Sequence, residues 1–249
     1  MNRALLTVRN LTKRFGGLIA TNGLDLDICK GETHALIGPN GAGKTTLIAQ
    51  LQGEIAPDDG TIVLDRRDIT RESAAQRARS GIARSFQISS VFPQFTVLAN
   101  VALAVQAREG HSYRFWRAAA HDERLLEPAL QALCRIGLDQ RADVVAADLS
   151  HGERRQLELA MAIVLKPSLL LLDEPMAGMG RQDAIRMTRI LATLKEHCTI
   201  LLVEHDMDAV FALADRVTVL VAGKAIKTGS PEAIRRDPEV KSVYLGRRN

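Results

Sequence analysis

Residues Gly38 to Thr46 read GPNGAGKTT: three glycines, a proline, one lysine and two hydroxyls, set between the apolar run HALI and the helically spaced LIAQLQ. Glycine, four residues, glycine, lysine and a hydroxyl residue is the pattern met by Gly38, Gly43, Lys44 and Thr45. A strand before it and a helix after it supply the context in which that pattern has meaning. Glycines let the main chain wrap closely around a ligand with its N–H groups turned inward. The helix behind adds roughly half a positive charge at its first turn. The whole loop, Gly38, Pro39, Asn40, Gly41, Ala42, Gly43, Lys44, Thr45 and Thr46, is therefore expected to cradle the phosphates of a nucleotide. Lys44 reaches the β- and γ-phosphates as a point charge. Thr45 offers its hydroxyl to Mg2+, and Thr46 adds a phosphate hydrogen bond.

The composition is that of an ordinary globular protein: 249 residues, 46% hydrophobic and 25% charged, with only 4% aromatic, so the core is aliphatic. A net charge of +4, carried mostly by arginine, is too small to single out nucleic acid as a partner. Cys29, Cys134 and Cys198 are scattered and odd in number, which suggests reduced thiols in a cytoplasm. The start, MNRALLTVRN, has no long apolar core of a leader, and no run approaches the roughly 20 apolar residues that span a bilayer. The chain is expected to be neither secreted nor integral to a membrane, and to reach one only through a partner.

Outward from the loop, strands and helices alternate. GLDLDI places Leu24, Leu26 and Ile28 against Asp25 and Asp27, a half-buried strand of period two. DDGTIVLD reads as a turn and a strand, GIARSFQ as a short strand, and VTVLVAGKAIKTG as a hairpin turning at Ala222–Lys224. From about Pro93 to Lys166 the pattern is mostly helical. LLLLDEP and TILLVEHD are apolar on both faces, as central parallel strands covered by helices are. The order implies βαβ-type halves interrupted by a helical block.

Two further elements carry chemistry. Asp173 and Glu174 end the LLLLDEP strand, at the edge where a parallel sheet gathers its ligands. Adjacent acids repel unless a cation sits between or beside them, so the pair makes sense with a metal; in this role Asp173 holds Mg2+ and Glu174 polarises the attacking water as general base. In LSHGERRQLELAMAIVL, Ser150 and Glu153 form a capping box, with Leu157, Met161, Val164 and Leu165 on one helical face. A well-capped helix explains those residues but not Gly152, a costly choice in a first turn.

These elements, in this order and over nearly the whole chain, resemble the ATP-binding cassette (ABC) ATPases. LSHGE is similar to that family's signature sequence, Phe15 in RFGG to its adenine-stacking aromatic, Gln87 in SFQ to its Mg2+-sensing glutamine, and His205 in EHD to its switch histidine at the γ-phosphate. His151 stands where the signature usually has its first glycine, and Gly180 where many members have an aspartate. The resemblance implies an α/β P-loop NTPase with a RecA-like core (1–92 and 166–232), an antiparallel β subdomain, an inserted helical subdomain (93–165) and a C-terminal segment (233–249). It implies a Mg2+-dependent ATPase. Its catalytic residues are Glu174, His205 and Gln87, and its metal residues Thr45, Gln87 and Asp173. A second ABC ATPase subunit contributes Ser150 and Gly152, with Glu153 beside them, to the facing ATP. Transmembrane permease subunits dock on the helical block, at the cytoplasmic face of the inner membrane.

Within the family, RFGGLIATNGLDLDI, ARSFQISSVFPQFTVLANV, the insert around SYRFWRAA, VEHDMDAVFALADRVTVL and the final VYLG resemble the ATPases of branched-chain amino-acid importers and their urea and amide relatives. Such importers work with a periplasmic solute-binding protein, an indirect partner. A lipopolysaccharide-export ATPase shares GERR but usually lacks the insert. A soluble ABC ATPase acting on DNA or ribosomes generally has two cassettes or a long coiled-coil arm, and neither is visible here, so no nucleic-acid partner is expected.

Overall fold

The computed structural model describes residues 3–85, 91–109 and 122–245. Gln87 and the insert around residues 112–119 lie outside the described residues.

The chain opens with two long antiparallel strands, β1 (Ala4–Phe15) and β2 (Leu18–Cys29). Leu24, Leu26 and Ile28 turn inward, as their alternation with aspartates requires, opposite Leu11, Val8 and Leu6 of β1. After β3 (Thr33–Ile37) and the helix α1 (Lys44–Gln52) come β4 (Asp59–Leu64) and the short β5 (Arg67–Asp68), which complete a four-stranded sheet in the order β2-β1-β4-β5. Strand β3 belongs instead to a second sheet with β6 (Ile82–Ser85), β7 (Leu169–Asp173), β8 (Thr199–Val203), β9 (Arg216–Val221) and β10 (Lys224–Gly229). Its order is β10-β9-β3-β8-β7-β6. All its neighbours are parallel except the final hairpin, which turns through Ala222 and Gly223 at φ 47° and 77°, the left-handed pair that a tight two-residue turn needs.

The aliphatic runs divide by period two between two cores. Leu169, Leu171, Leu201 and Val203 face α1 and the antiparallel sheet. Leu170, Leu172, Ile200 and Leu202 face the opposite side, where α5 (His151–Ile163) and α6 (Arg181–Leu194) cover them. Each fully buried leucine contributes about 1.5–3 kcal/mol, so both faces hold the strands in register. Helix α1 lies between the two sheets with Leu47, Ile48 and Leu51 at 0% exposure. Its apolar positions and Gln50 are enclosed nearly all round.

The stretch read as mostly helical contains α3 (Val97–Glu109), α4 (Glu123–Ile136) and α5, which pack on one another. Helix α4 buries Leu125, Ala129, Ala132, Leu133 and Ile136, a single stripe at helical spacing. The buried side of α5 is formed by Gln156, Leu157, Leu159, Ala160 and Ala162, a wider face than the apolar pattern marks. Val164 and Leu165 lie beyond its last turn. Helices α7 (Met207–Leu213), α8 (Pro231–Arg236) and α9 (Pro238–Leu245) complete the chain. All three cysteines are free thiols. Among the described residues, no helix is long and apolar enough to cross a membrane.

One buried cation secures the far end of α1. A capping box of Ser73 and Gln76 starts the short helix α2 (Ala74–Arg79). Arg77 then points inward at 1% exposure. Its guanidinium donates to the carbonyls of Gln50, Leu51, Thr70 and Glu72 at 2.5–3.0 Å. Gln50 and Leu51 are in the last turn of α1, where carbonyls have no partner within the helix and a positive charge is favoured. Replacing Arg77 with Met is expected to lower the free energy of unfolding by about 3 kcal/mol or more, because buried acceptors lose a charged donor. A urea titration that finds a loss under about 1 kcal/mol would remove this role.

Candidate functional site

Parallel pairing sets the ends of three strands level. Leu36 of β3 pairs with Val203 of β8, and Val203 with Asp173 of β7. The loop after Ile37, the acids after Leu172 and the Glu204–His205 pair after Val203 therefore emerge together at the carboxyl edge of the sheet, where such sheets bind ligands.

Main chain fixes the loop Gly38–Gly43 from outside. A Cβ at Gly38 would stand 2.2 Å from the carbonyl oxygen of Leu220, and one at Gly43 2.1 Å from that of Ala20. Gly43 also has φ 100° and forms the N-cap of α1, so its conformation and its surroundings both demand glycine. The Gly223 N–H donates to Ala42 O at 2.9 Å, and the Asn22 N–H to Gly223 O at 2.9 Å, which joins loop, hairpin turn and β2. Asn40, Gly41 and Thr45 are exposed, and Pro39 and Thr46 half-buried.

Lys44 is 6% exposed, and its ammonium donates to the carbonyls of Gly38 at 2.7 Å and Pro39 at 3.1 Å. Burial pushes it below the ordinary lysine range, while the negative charges of Glu174 and Asp173 act the other way. Asp173 is 9% exposed. Burial pushes its carboxyl up, and the guanidinium of Arg84, which donates to it at 3.0 Å, opposes that rise. A buried cation and a buried anion thus stand within electrostatic reach of one another at the sheet edge.

Glu174 has φ 52°, a conformation that costs a residue with a Cβ roughly 1–2 kcal/mol. The surroundings hold it there. Its N–H donates to Val203 O at 2.8 Å. Buried Glu204 ties the two loops together, accepting from the N–H groups of Met176 at 3.0 Å and His205 at 2.9 Å. The Glu174 carboxylate in turn meets His205 Nε2 at 2.6 Å, both side chains about two-fifths exposed. An ionised carboxylate only accepts, so Nε2 carries the proton. Strain of this kind, held by its neighbours, collects at functional sites.

The capping box of α5 is present. The Glu153 N–H donates to Ser150 Oγ at 3.2 Å, and the Ser150 N–H to the Glu153 carboxylate at 2.9 Å. That N–H, then the Ser150 side chain and Arg141, holds the Glu153 carboxyl below its usual range against the effect of burial. At Gly152 a Cβ would stand 3.1 Å from the Asp183 carboxylate of α6, a close contact that a shift of that side chain by a few tenths of an ångström would relieve. His151 lies on the loop after Glu174, its Nε2 3.5 Å from Ala177 O. Among the described residues, no hydrogen bond joins Ser150, Gly152 or Glu153 to the loop 38–46. Phe15, at the end of β1, is 47% exposed, with the ammonium of Lys13 over its ring 5.6 Å from the centroid.

Thr45 and Asp173 supply hard oxygen donors, and among the described residues no group of three His, Cys, Asp or Glu is placed to cage a metal. That donor set suits an ion that completes its shell with phosphate oxygens and water, as Mg2+ does. Sequence patterns did not find Arg84, Glu204 or Arg77. For Arg84 the available signal was a charged residue in the short strand IARS; Arg77, in ESAAQRARS, and Glu204, in VEHD, carry no such local mark.

Known proteins similar to this chain share one family and one fold. The family described as "ABC transporter" matches residues 21–177, and one described as "Branched-chain amino acid ATP-binding cassette transporter" matches residues 228–248. The high-affinity branched-chain amino acid transport ATP-binding protein LivG of Salmonella typhimurium is 39% identical, over 99% of both chains. BraF of Pseudomonas aeruginosa, with the same description, is 35% identical over 99% of both. A crystal structure of the ADP conformation of an ABC transporter's ATP-binding cassette superposes with a TM-score of 0.86 at 29% identity, covering 98% of this chain and 99% of that one.

Gly43→Ala is expected to abolish nucleotide binding and lower the melting temperature, because the new methyl meets rigid main chain. Gly41→Ala, with φ 79° but nothing within 4 Å of its Cβ, costs only the strain of about 1–2 kcal/mol. Equal effects of the two in a nucleotide titration would contradict the clamp.

Proposed function

The chain belongs to the ABC transporter family, and on that footing we propose that it binds and hydrolyses ATP to energise a membrane importer of branched-chain amino acids or related small polar solutes. The observation that carries the ATPase reading is the convergence of Lys44, Asp173, Glu174 and His205 on one sheet edge beside the clamped loop. The solute class is supported by the end-to-end similarity to LivG and BraF and by the match at residues 228–248.

The residues divide the reaction as follows. Phe15 offers its exposed face to adenine. The N–H groups of the loop and the Lys44 ammonium take the phosphates, Lys44 exchanging its two carbonyl partners for phosphate oxygens. Thr45 and Asp173 hold Mg2+, with Gln87 as a third oxygen donor. When bound, Mg2+ neutralises charge that develops on the transferring phosphoryl group. Glu174 accepts a proton from the water that attacks the γ-phosphorus, and ADP leaves as the bond to its β-phosphate oxygen breaks. His205 holds the carboxylate of Glu174 toward that water and contacts the γ-phosphate.

Ser150, Gly152 and Glu153 stand apart from the loop of their own chain. Their place is at the ATP of a second, facing subunit, where Ser150 and the first N–H groups of α5 meet the γ-phosphate. The helical block 93–165 docks the permease chains, and through them the protein sits at the cytoplasmic face of the membrane. A periplasmic solute-binding protein acts on the outer side.

Glu174→Gln keeps the shape and removes the base. Turnover should fall by roughly 10²–10⁴-fold, with ATP binding retained. Recovery of turnover by excess Mg2+ would instead make Glu174 a buttress of the metal site and remove it from catalysis.

A further inference from the structure

Arg84 is the only charged residue in β6 (IARS), and none of the steps above uses it. By period two it shares a side with Ile82, toward α1, and its side chain is 2% exposed. Burying a guanidinium is expensive unless every contact is made well. A leucine would suit the apolar neighbours of this strand better. The guanidinium forks instead. Nη1 donates to Gln52 Oε1 at 2.8 Å and to Glu54 Oε2 at 3.0 Å, while Nη2 donates to Asp173 Oδ2 at 3.0 Å. Gln52 ends the helix that begins with Lys44 and Thr45. One planar group therefore spans the helix behind the phosphate loop and the acid at the end of β7. Glu54 alone would neutralise the charge, and its side chain is 35% exposed. The second nitrogen is committed to Asp173.

We propose that Arg84 is a positioning residue for Asp173: it occupies one carboxylate oxygen and, braced on Gln52 and Glu54, fixes the carboxylate relative to the helix that carries Thr45, so that the two Mg2+ donors keep their spacing. This rests on the reading of Asp173 as the metal-holding acid. Partners that orient a ligating carboxylate typically account for about 10–100-fold in metal affinity. Lysine preserves the charge but has a single nitrogen that cannot serve both sides of the fork.

The test is calorimetric titration with ATP, over a series of Mg2+ concentrations and in EDTA, of the wild-type protein and Arg84→Lys, with melting temperatures alongside. In Arg84→Lys, the Mg2+ concentration for half-maximal enhancement of ATP binding should rise roughly tenfold or more, with ATP affinity in EDTA within about twofold of wild type. A midpoint equal to wild type, or a parallel loss of affinity with and without Mg2+, would overturn the proposal, since a purely structural role gives one of those. Should Arg84→Lys fail to fold, Glu54→Ala removes one brace, acceptor and charge together, from a position that is 35% exposed. It should shift the Mg2+ midpoint in the same direction, and an unmoved midpoint overturns the proposal equally. A wild-type protein indifferent to Mg2+ would overturn the reading of Asp173 and this proposal with it. A responsive wild type with unmoved variants would overturn this proposal alone.

Discussion

Two main-chain carbonyls, those of Ala20 and Leu220, press on the loop between β3 and α1 so closely that no side chain fits at Gly43 or Gly38. Everything at the sheet edge follows from that contact. It brings β2 and the β9–β10 hairpin against the loop, holds Gly43 in its left-handed conformation and starts α1 in a fixed direction. With α1 fixed, the carbonyls of its own loop are the hydrogen-bond partners of the Lys44 ammonium among the described residues. Those bonds are good enough to bury the charge, yet burial still presses it toward the neutral form. A polyphosphate offers the same ammonium full negative charges in place of dipoles, which is the stronger kind of partner.

The acids opposite are arranged to a different end. Asp173 is buried and braced by a cation. Glu174, one residue on, is half exposed, strained and paired with an imidazole. Adjacent carboxylates in such unlike settings divide their work: the braced one holds position, and the exposed one meets water. Glu204 makes the division possible by joining the loops after β7 and β8, its carboxylate accepting from a main-chain N–H on each side of the strained Glu174 turn.

Much of this was legible in the sequence because it is local. LLLL (169–172) and ILLV (200–203) are apolar at every position, and only a strand covered on both faces accommodates that. The loop, its helix and the capping box at Ser150 are patterns of neighbouring residues. The final hairpin was marked by Ala222 and Gly223. Strand β1 escaped notice because its alternation is broken at Asn10, which has φ 50° where the pairing with β2 shifts register. Arg77, Arg84 and Glu204 escaped because each is explained by partners in other elements, Arg84 by an aspartate 89 residues on.

A crystal structure with MgATP bound to the Glu174→Gln protein tests most directly whether the clamped loop is a phosphate cradle. Lys44 Nζ should leave the carbonyls of Gly38 and Pro39 for the β- and γ-phosphates, with the loop's main chain otherwise unmoved against Ala20 and Leu220. Nucleotide bound elsewhere, with Lys44 still on its own carbonyls, would contradict it.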